Sequence, residues 1–241
     1  MKKPLRRGGK TAARNQMEGT RSLVLNGELV LYGIVDSWDD SDTIRAIDVM
    51  ASLVELSAQD PIIVRINSPG GSVIEGFAIY NALRASGKKI VMHVDALAAS
   101  IASVIAMAGD EIVMAENASI MIHDPYSAAF GGSEDLRAAA DEIDRLQGMI
   151  VGIYAARTGL EVSELESMMA AETYLSAAEA VAKGFANRVD QPLQVAACAT
   201  LDNQALARLL SPPEPRSNGR IPAAPAASSH RTNKMPKPIV A

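Results

Sequence analysis

Between Ser22 and Asp190, short β-branched runs alternate with stretches of helical periodicity, and this alternation restricts the chain more than any other feature. PIIVRIN (61–67), KKIVMHVDA (88–96), EIVM (111–114) and SIMIH (119–123) read as strands. PIIVRIN, an almost unbroken apolar run, reads as a buried strand. Val73–Ala85, a small-residue helix from Ala99 onward, Glu134–Arg157, Val162–Met169 and Ala177–Lys183 read as helices. On Glu134–Arg157 the apolar face is Leu136, Ala140, Ile143, Leu146, Ile150 and Ile153. Strands that alternate with helices imply an α/β fold with crossover connections. At the start of this body, Asn26-Gly27 separates two apolar runs and signals a hairpin. Ser37 to Asp42 reads as a polar turn, Asp42 as a helix cap, and Thr43–Ser57 as the first helix.

The ends differ in kind from the body. Residues 1–21 hold 7 Lys/Arg against 1 acid, and 191–241 hold 6 against 2, whereas 22–190 holds 10 basic and 25 acidic residues. Basic arms therefore flank an acidic body. Residues 1–21 and the Ala/Pro-rich low-complexity stretch 191–241 are expected to be disordered tails around a domain at 22–190. Solvated tails are one reading; arms that dock on an acidic partner or on nucleic acid are the other. With a single cysteine, Cys198, no internal disulfide forms, which fits a reducing cytoplasm. The basic N-terminus is not followed by an apolar h-region, so a secretory signal is not expected. The apolar stretch Ala96–Ala108 is too short to span a bilayer. No Cys/His cluster offers a metal site, and no cofactor, membrane or nucleic-acid partner is expected.

Three segments hold residues suited to chemistry. Asn67-Ser68-Pro69-Gly70-Gly71-Ser72 joins a strand to a helix. Its glycines allow positive φ and close backbone approach, and its N–H groups suit an oxyanion. Such a turn also needs glycine on steric grounds alone, and no Gly-Lys-Ser/Thr follows to make a phosphate loop. Ser100 sits among small residues at a strand-to-helix junction. Nucleophile and plain helix cap are both open there. Ser103, one turn further on, is the rival serine, placed to bond back to a carbonyl within its own helix. Of three histidines, His230 lies in the tail and His93 has ambiguous facing. His123 ends a strand beside the loop after Pro125, where catalytic side chains tend to sit.

The segments INSPGGSVIEGFAIYNAL (66–83), ALAASIASVIAMAGD (96–110) and NASIMIHDP (117–125), with AETYLSAAEAVAKGFANRVD (171–190), occur in one order. Together they resemble the Clp protease proteolytic subunit over about residues 24–190. The resemblance implies a ClpP/crotonase-like fold of repeated ββα units, with Glu134–Arg157 as a protruding handle helix between rings of a homo-oligomer. It implies a serine endopeptidase with Ser100 as nucleophile and His123 as general base. Gly71 and Ile101 match the oxyanion-hole positions. The third triad position falls on Glu172, where the family usually carries Asp; Asp124 and Asp141 are weaker candidates. The cleft beside Ser100 is expected to take apolar residues.

The basic arm, the long tail, shortened connections and Ile101 in place of the usual Met are more similar to head maturation proteases of tailed bacteriophages. That subtype implies work in the host cytoplasm inside a procapsid, on scaffold and capsid proteins and on the chain itself. The alternatives are a host subunit dependent on a Clp-type ATPase, a non-proteolytic crotonase-like acyl-CoA protein, and a catalytically silent capsid scaffold or interaction protein.

Overall fold

The computed structural model describes residues 19–38 and 40–190. The expected hairpin forms first. Asn26 and Gly27 adopt φ of 52° and 80°, which turns β1 (Val24–Leu25) back along β2 (Glu28–Val35). β3 (Thr43–Ile44) then pairs with the end of β2, and α1 (Ala46–Glu55) follows. This corrects the first helix. Thr43 and Ile44 are strand residues, Arg45 is the N-cap, and Asp42 caps nothing. The buried face of α1 is Ala46, Asp48, Val49 and Ser52, whereas Ile47 and Val54 are exposed.

The central unit is β4 (Ile62–Gly71), α2 (Val73–Ala85), β5 (Ile90–Ala99) and α3 (Ile101–Ala106). Then come β6 (Glu111–Met114), β7 (Ser119–Ile122), α4 (Ser133–Thr158), α5 (Val162–Ala170), β8 (Thr173–Ser176), α6 (Ala177–Ala182) and β9 (Arg188–Val189). One sheet runs β1-β2-β4-β5-β6-β9, parallel from β2 onward, and β7 and β8 extend from the far half of β5. The mixed α/β architecture is the expected one. β8 and β9 had no counterpart in the sequence reading: TYLS has fewer apolar residues than EIVM or SIMI, and β9 is only two residues long.

Helices cover one face of the sheet, with α2 packed between α1 and α3. Leu29, Leu31, Val64, Ile66, Met92 and Val94 from the strands meet Val49, Ile79, Leu83 and Val104 from the helices, all at 0–1% exposure. Each such side chain contributes ~1.5–3 kcal/mol by leaving water. The second face corrects the reading of PIIVRIN: β4 is buried on alternate residues only. Arg65 stands on the open face and pairs with Asp95, which also accepts from the Tyr32 hydroxyl at 2.6 Å.

α4 begins and ends one residue outside the expected bounds, and Gly159 closes it at φ 73°. Only Ile150, Val151 and Tyr154 on it are buried; Leu136 and Ala140 are exposed, so the N-terminal half protrudes. Ala98 and Ala99 belong to β5, which shortens the expected small-residue helix to six residues. Cys198, His230, the tail 191–241 and residues 1–18 of the arm lie outside the described residues.

The clamp that holds the start of the body had no sequence signal. Asp48, fully buried, accepts from Arg45 Nε and Nη2 and from the backbone N–H of Arg21, each at 2.8 Å. Burial pushes the Asp48 carboxyl up. The hydrogen bonds and charges of Arg45 and Arg21 outweigh that and hold it below the ordinary aspartate value.

Candidate active site

The site forms where β5 changes partners. Val91–Val94 pair with β6, then Leu97–Ala99 pair with β7 in parallel register, Ala99 opposite Met121. The Ser100 N–H donates to the Met121 carbonyl at 2.9 Å and so continues that ladder by one bond. Ser100 and His123 thus lie at the ends of two neighbouring strands. Ser100 Oγ and His123 Nε2 are 2.7 Å apart. Among the described residues the sequence singled out, these two are brought into direct contact.

Ser100 has φ 54° and ψ −130°, a conformation sparsely populated for a residue with a Cβ. It turns the chain sharply from β5 into α3, so its side chain leaves the sheet edge rather than entering the core. Ser103 does what its position predicted: its hydroxyl donates to the Ser100 carbonyl at 2.5 Å and is fully buried.

Gly71 ends β4 opposite Val35 of β2, and the Ser72 N–H donates to the Val35 carbonyl at 2.7 Å. At φ 145°, a Cβ on Gly71 would stand 2.1 Å from that carbonyl oxygen, so no larger residue fits the observed backbone. Gly71 lines the cleft that holds Ser100 and His123. Ile101 follows Ser100 as the first residue of α3, where the backbone N–H has no carbonyl partner within the helix.

Glu172 approaches from the other side. β7 and β8 pair antiparallel and their ladder ends with Ile122 opposite Thr173; His123 follows the one and Glu172 precedes the other. Glu172 has φ 49° and is exposed. Among the described residues no hydrogen bond joins its carboxylate to His123. Asp124 Oδ1 is buried without a hydrogen-bond partner among the described residues. Asp141 lies on the exposed part of α4.

Ser100 and His123 open onto a cleft of about 540 Å³. Ile34, Val73, Met121 and Pro125 give it apolar walls, and Asp36 adds one carboxylate. Tyr126 stands beside His123, ring centroids 5.7 Å apart and planes tilted by 59°. The wall residues were not singled out from sequence. They come from four separate segments, and only Tyr126, in the loop directly after His123-Asp124-Pro125, carried a local signal. Among the described residues no helix is long and apolar enough to cross a membrane.

The arrangement is a hydroxyl in contact with an imidazole, set in a cleft beside a glycine-rich strand end. Those groups suit acyl transfer. Comparison with known proteins agrees. A family model described as Clp protease matches residues 15–192. An ATP-dependent Clp protease proteolytic subunit from Pleurastrum terricola is 33% identical over 146 residues, which cover 58% of this chain and 74% of the relative.

Proposed function

The chain belongs to the Clp protease family, and we propose that it is a serine endopeptidase whose peptidase domain spans residues 22–190, with Ser100 as nucleophile and His123 as general base. The observation that carries this reading is the 2.7 Å contact between Ser100 Oγ and His123 Nε2 at the mouth of the cleft. With its proton on Nδ1, the imidazole accepts the Ser100 proton at Nε2 as Oγ attacks the scissile carbonyl. The Gly71 and Ile101 N–H groups receive the oxyanion. The tetrahedral adduct collapses, His123 returns the proton to the leaving amine, and an acyl-enzyme remains. Water then attacks, His123 again takes a proton, and Ser100 is released with the carboxylate product. Glu172 is the third member in this reading, the residue that orients the ring; what supports it is its place directly before Thr173, whose ladder partner Ile122 directly precedes His123.

Within the family, the reading is a head maturation protease of a tailed phage, working as homo-oligomeric rings on scaffold and capsid proteins. What supports this is the charge plan, a basic arm of 7 Lys/Arg before an acidic body and an Ala/Pro-rich tail after it. A protease enclosed with substrates that present extended segments needs no unfolding partner. The second reading is a subunit served by a Clp-type ATPase. The relative's printed name favours it, as does the open apolar groove of about 400 Å³ walled by Met50, Leu53, Val54, Ala82 and Ala85.

Two measurements separate these. A fluorophosphonate probe should label wild type at Ser100 and leave Ser100→Ala unlabelled; a wild type that stays unlabelled removes the peptidase reading. Digestion of capsid or scaffold protein without any ATPase should proceed. If cleavage appears only when a Clp ATPase and ATP are added, the second reading holds.

A further inference from the structure

One buried polar pair has no part in the mechanism above. Ser103 is fully buried and Tyr154 is 1% exposed, and their hydroxyl oxygens are 2.7 Å apart. Ser103 comes from α3 and Tyr154 from the buried end of α4. A hydroxyl has one proton to give. The Ser103 proton goes to the Ser100 carbonyl, which can only accept, at 2.5 Å. The Tyr154 hydroxyl is therefore the donor to Ser103 Oγ. The chain of bonds has one direction, Tyr154 to Ser103 to the Ser100 carbonyl. Burial pushes the Tyr154 phenol well above its ordinary range, and the Ser103 bond offsets this only in part. The donor keeps its proton across the pH range in which a peptidase works.

The acceptor sits on a consequential group. The carbonyl of Ser100 and the N–H of Ile101 are opposite ends of one planar peptide. That plane is not held by ordinary backbone preference, since Ser100 lies at φ 54° and ψ −130°. Two donors hold its oxygen, the Ser103 N–H at 3.0 Å and the Ser103 hydroxyl at 2.5 Å. Each fixes the plane, and each draws electron density toward the oxygen and strengthens the N–H at the far end as a donor.

We infer that Ser103 and Tyr154 are positioning residues that set the Ser100–Ile101 peptide, and through it the aim and strength of the Ile101 N–H toward the reaction's oxyanion. They touch no substrate. The inference rests on the proposed roles of Ser100 and Ile101.

The test compares wild type with Ser103→Ala, Tyr154→Phe and the double variant in the full chain. The readouts are kcat and KM on a chromogenic peptide ester, inhibition by a peptide boronate, fluorophosphonate labelling and thermal midpoint. Loss of an oxyanion donor costs 10²–10³ in kcat, so a donor that is misaimed but present should cost ~10- to 100-fold in Ser103→Ala. KM should stay within about twofold, because the interaction is made in the transition state, and boronate affinity should fall with kcat. Tyr154→Phe keeps the Ser103 bond and should lose ~3- to 10-fold.

The double variant separates positioning from packing. Ser103→Ala strands the buried Tyr154 hydroxyl, so adding Tyr154→Phe should raise the thermal midpoint again, while kcat stays as low as in Ser103→Ala. Recovery of kcat along with the midpoint, or kcat within twofold of wild type in all three variants, overturns the inference and leaves the peptidase reading intact. A wild type that neither labels nor hydrolyses the ester overturns both.

Discussion

Gly71→Ala tests whether the strand end beside Ser100 is catalytic backbone or a turn that merely needed glycine. The added Cβ would lie 2.1 Å from the Val35 oxygen and 3.0 Å from its carbon, where ordinary contact starts at 3.4 Å. The obstacle is backbone in a paired strand and cannot rotate aside as a side chain would. Relief takes a shift on the order of 1 Å at the end of β4, and misplacement of that size costs about 10²-fold in rate. At 1.36 kcal/mol per decade this is ~2.7 kcal/mol of lost transition-state stabilisation. The φ of 145° adds strain of ~1–3 kcal/mol to the fold, and a domain of this size loses ~2–4 °C per kcal/mol, or about 5 °C in all. Gly87→Ala is the control. It has φ 69° and nothing within 4 Å of a new Cβ, so it carries the left-handed strain without a clash. The assay is kcat on a peptide ester beside a thermal melt. Gly71→Ala should lose ~10²-fold in kcat with a lower midpoint, and Gly87→Ala should lose stability alone. A Gly71→Ala enzyme within threefold of wild-type kcat, or a Gly87→Ala enzyme equally impaired, would refute the role given to this backbone.

Three further outcomes are expected. Glu172→Gln keeps the side chain's shape and removes its charge, and should lower kcat by ~10²–10⁴ if Glu172 orients the imidazole; a larger loss in Asp124→Asn would move the third position there. Asp48→Asn breaks a buried ion pair and should cost ~3–5 kcal/mol, read by denaturant melts. The Asp48 carboxyl titrates below its unfolded value, so its stabilisation is complete above pH ~4 and disappears as pH falls through the folded pKa; the gap to Asp48→Asn should close over that acid range, and a gap constant with pH would contradict the assignment. Intact mass measurement should find wild type trimmed within residues 1–18 or 191–241 and Ser100→Ala untrimmed, while identical ends in both would dispose of self-processing.

What the sequence disclosed depended on whether the cause was local. Asn26-Gly27 forces its own hairpin, Gly159 its own helix stop, and the Ser103 hydroxyl finds a carbonyl one turn back, so each was visible in a short window. Thr43–Ile44 failed because a helical spacing of apolar residues is indistinguishable from a two-residue strand that only β2 defines. PIIVRIN read as buried throughout because the partner that satisfies Arg65 on the open face, Asp95, lies thirty residues on, two beyond His93, its ladder partner. The dyad itself was legible only through the order of several motifs. Nothing within ten residues of Ser100 announces His123, and the register Ala99–Met121 that joins them is a property of the sheet. Tyr154, the distant end of the Ser103 bond, has no signature beyond a helix position.

That same register accounts for how the strained serine persists. Its dihedral angles cost on the order of 1–3 kcal/mol and hold only where the surroundings over-determine them. Three bonds do so from two directions. Met121 of β7 takes the Ser100 N–H, and Ser103 gives both its N–H and its hydroxyl to the Ser100 carbonyl. The first fixes the serine to the strand that also carries His123, and the other two fix it to α3. Displacing either anchor would move the nucleophile relative to its base or rotate the peptide after it. The divergence of β5 from β6 to β7 is therefore what creates the site, since a β5 that stayed beside β6 would leave the Ser100 N–H without the Met121 carbonyl and His123 without a neighbour. Strain, dyad and cleft have a single topological origin at Asp95–Ala96, between the two ladders.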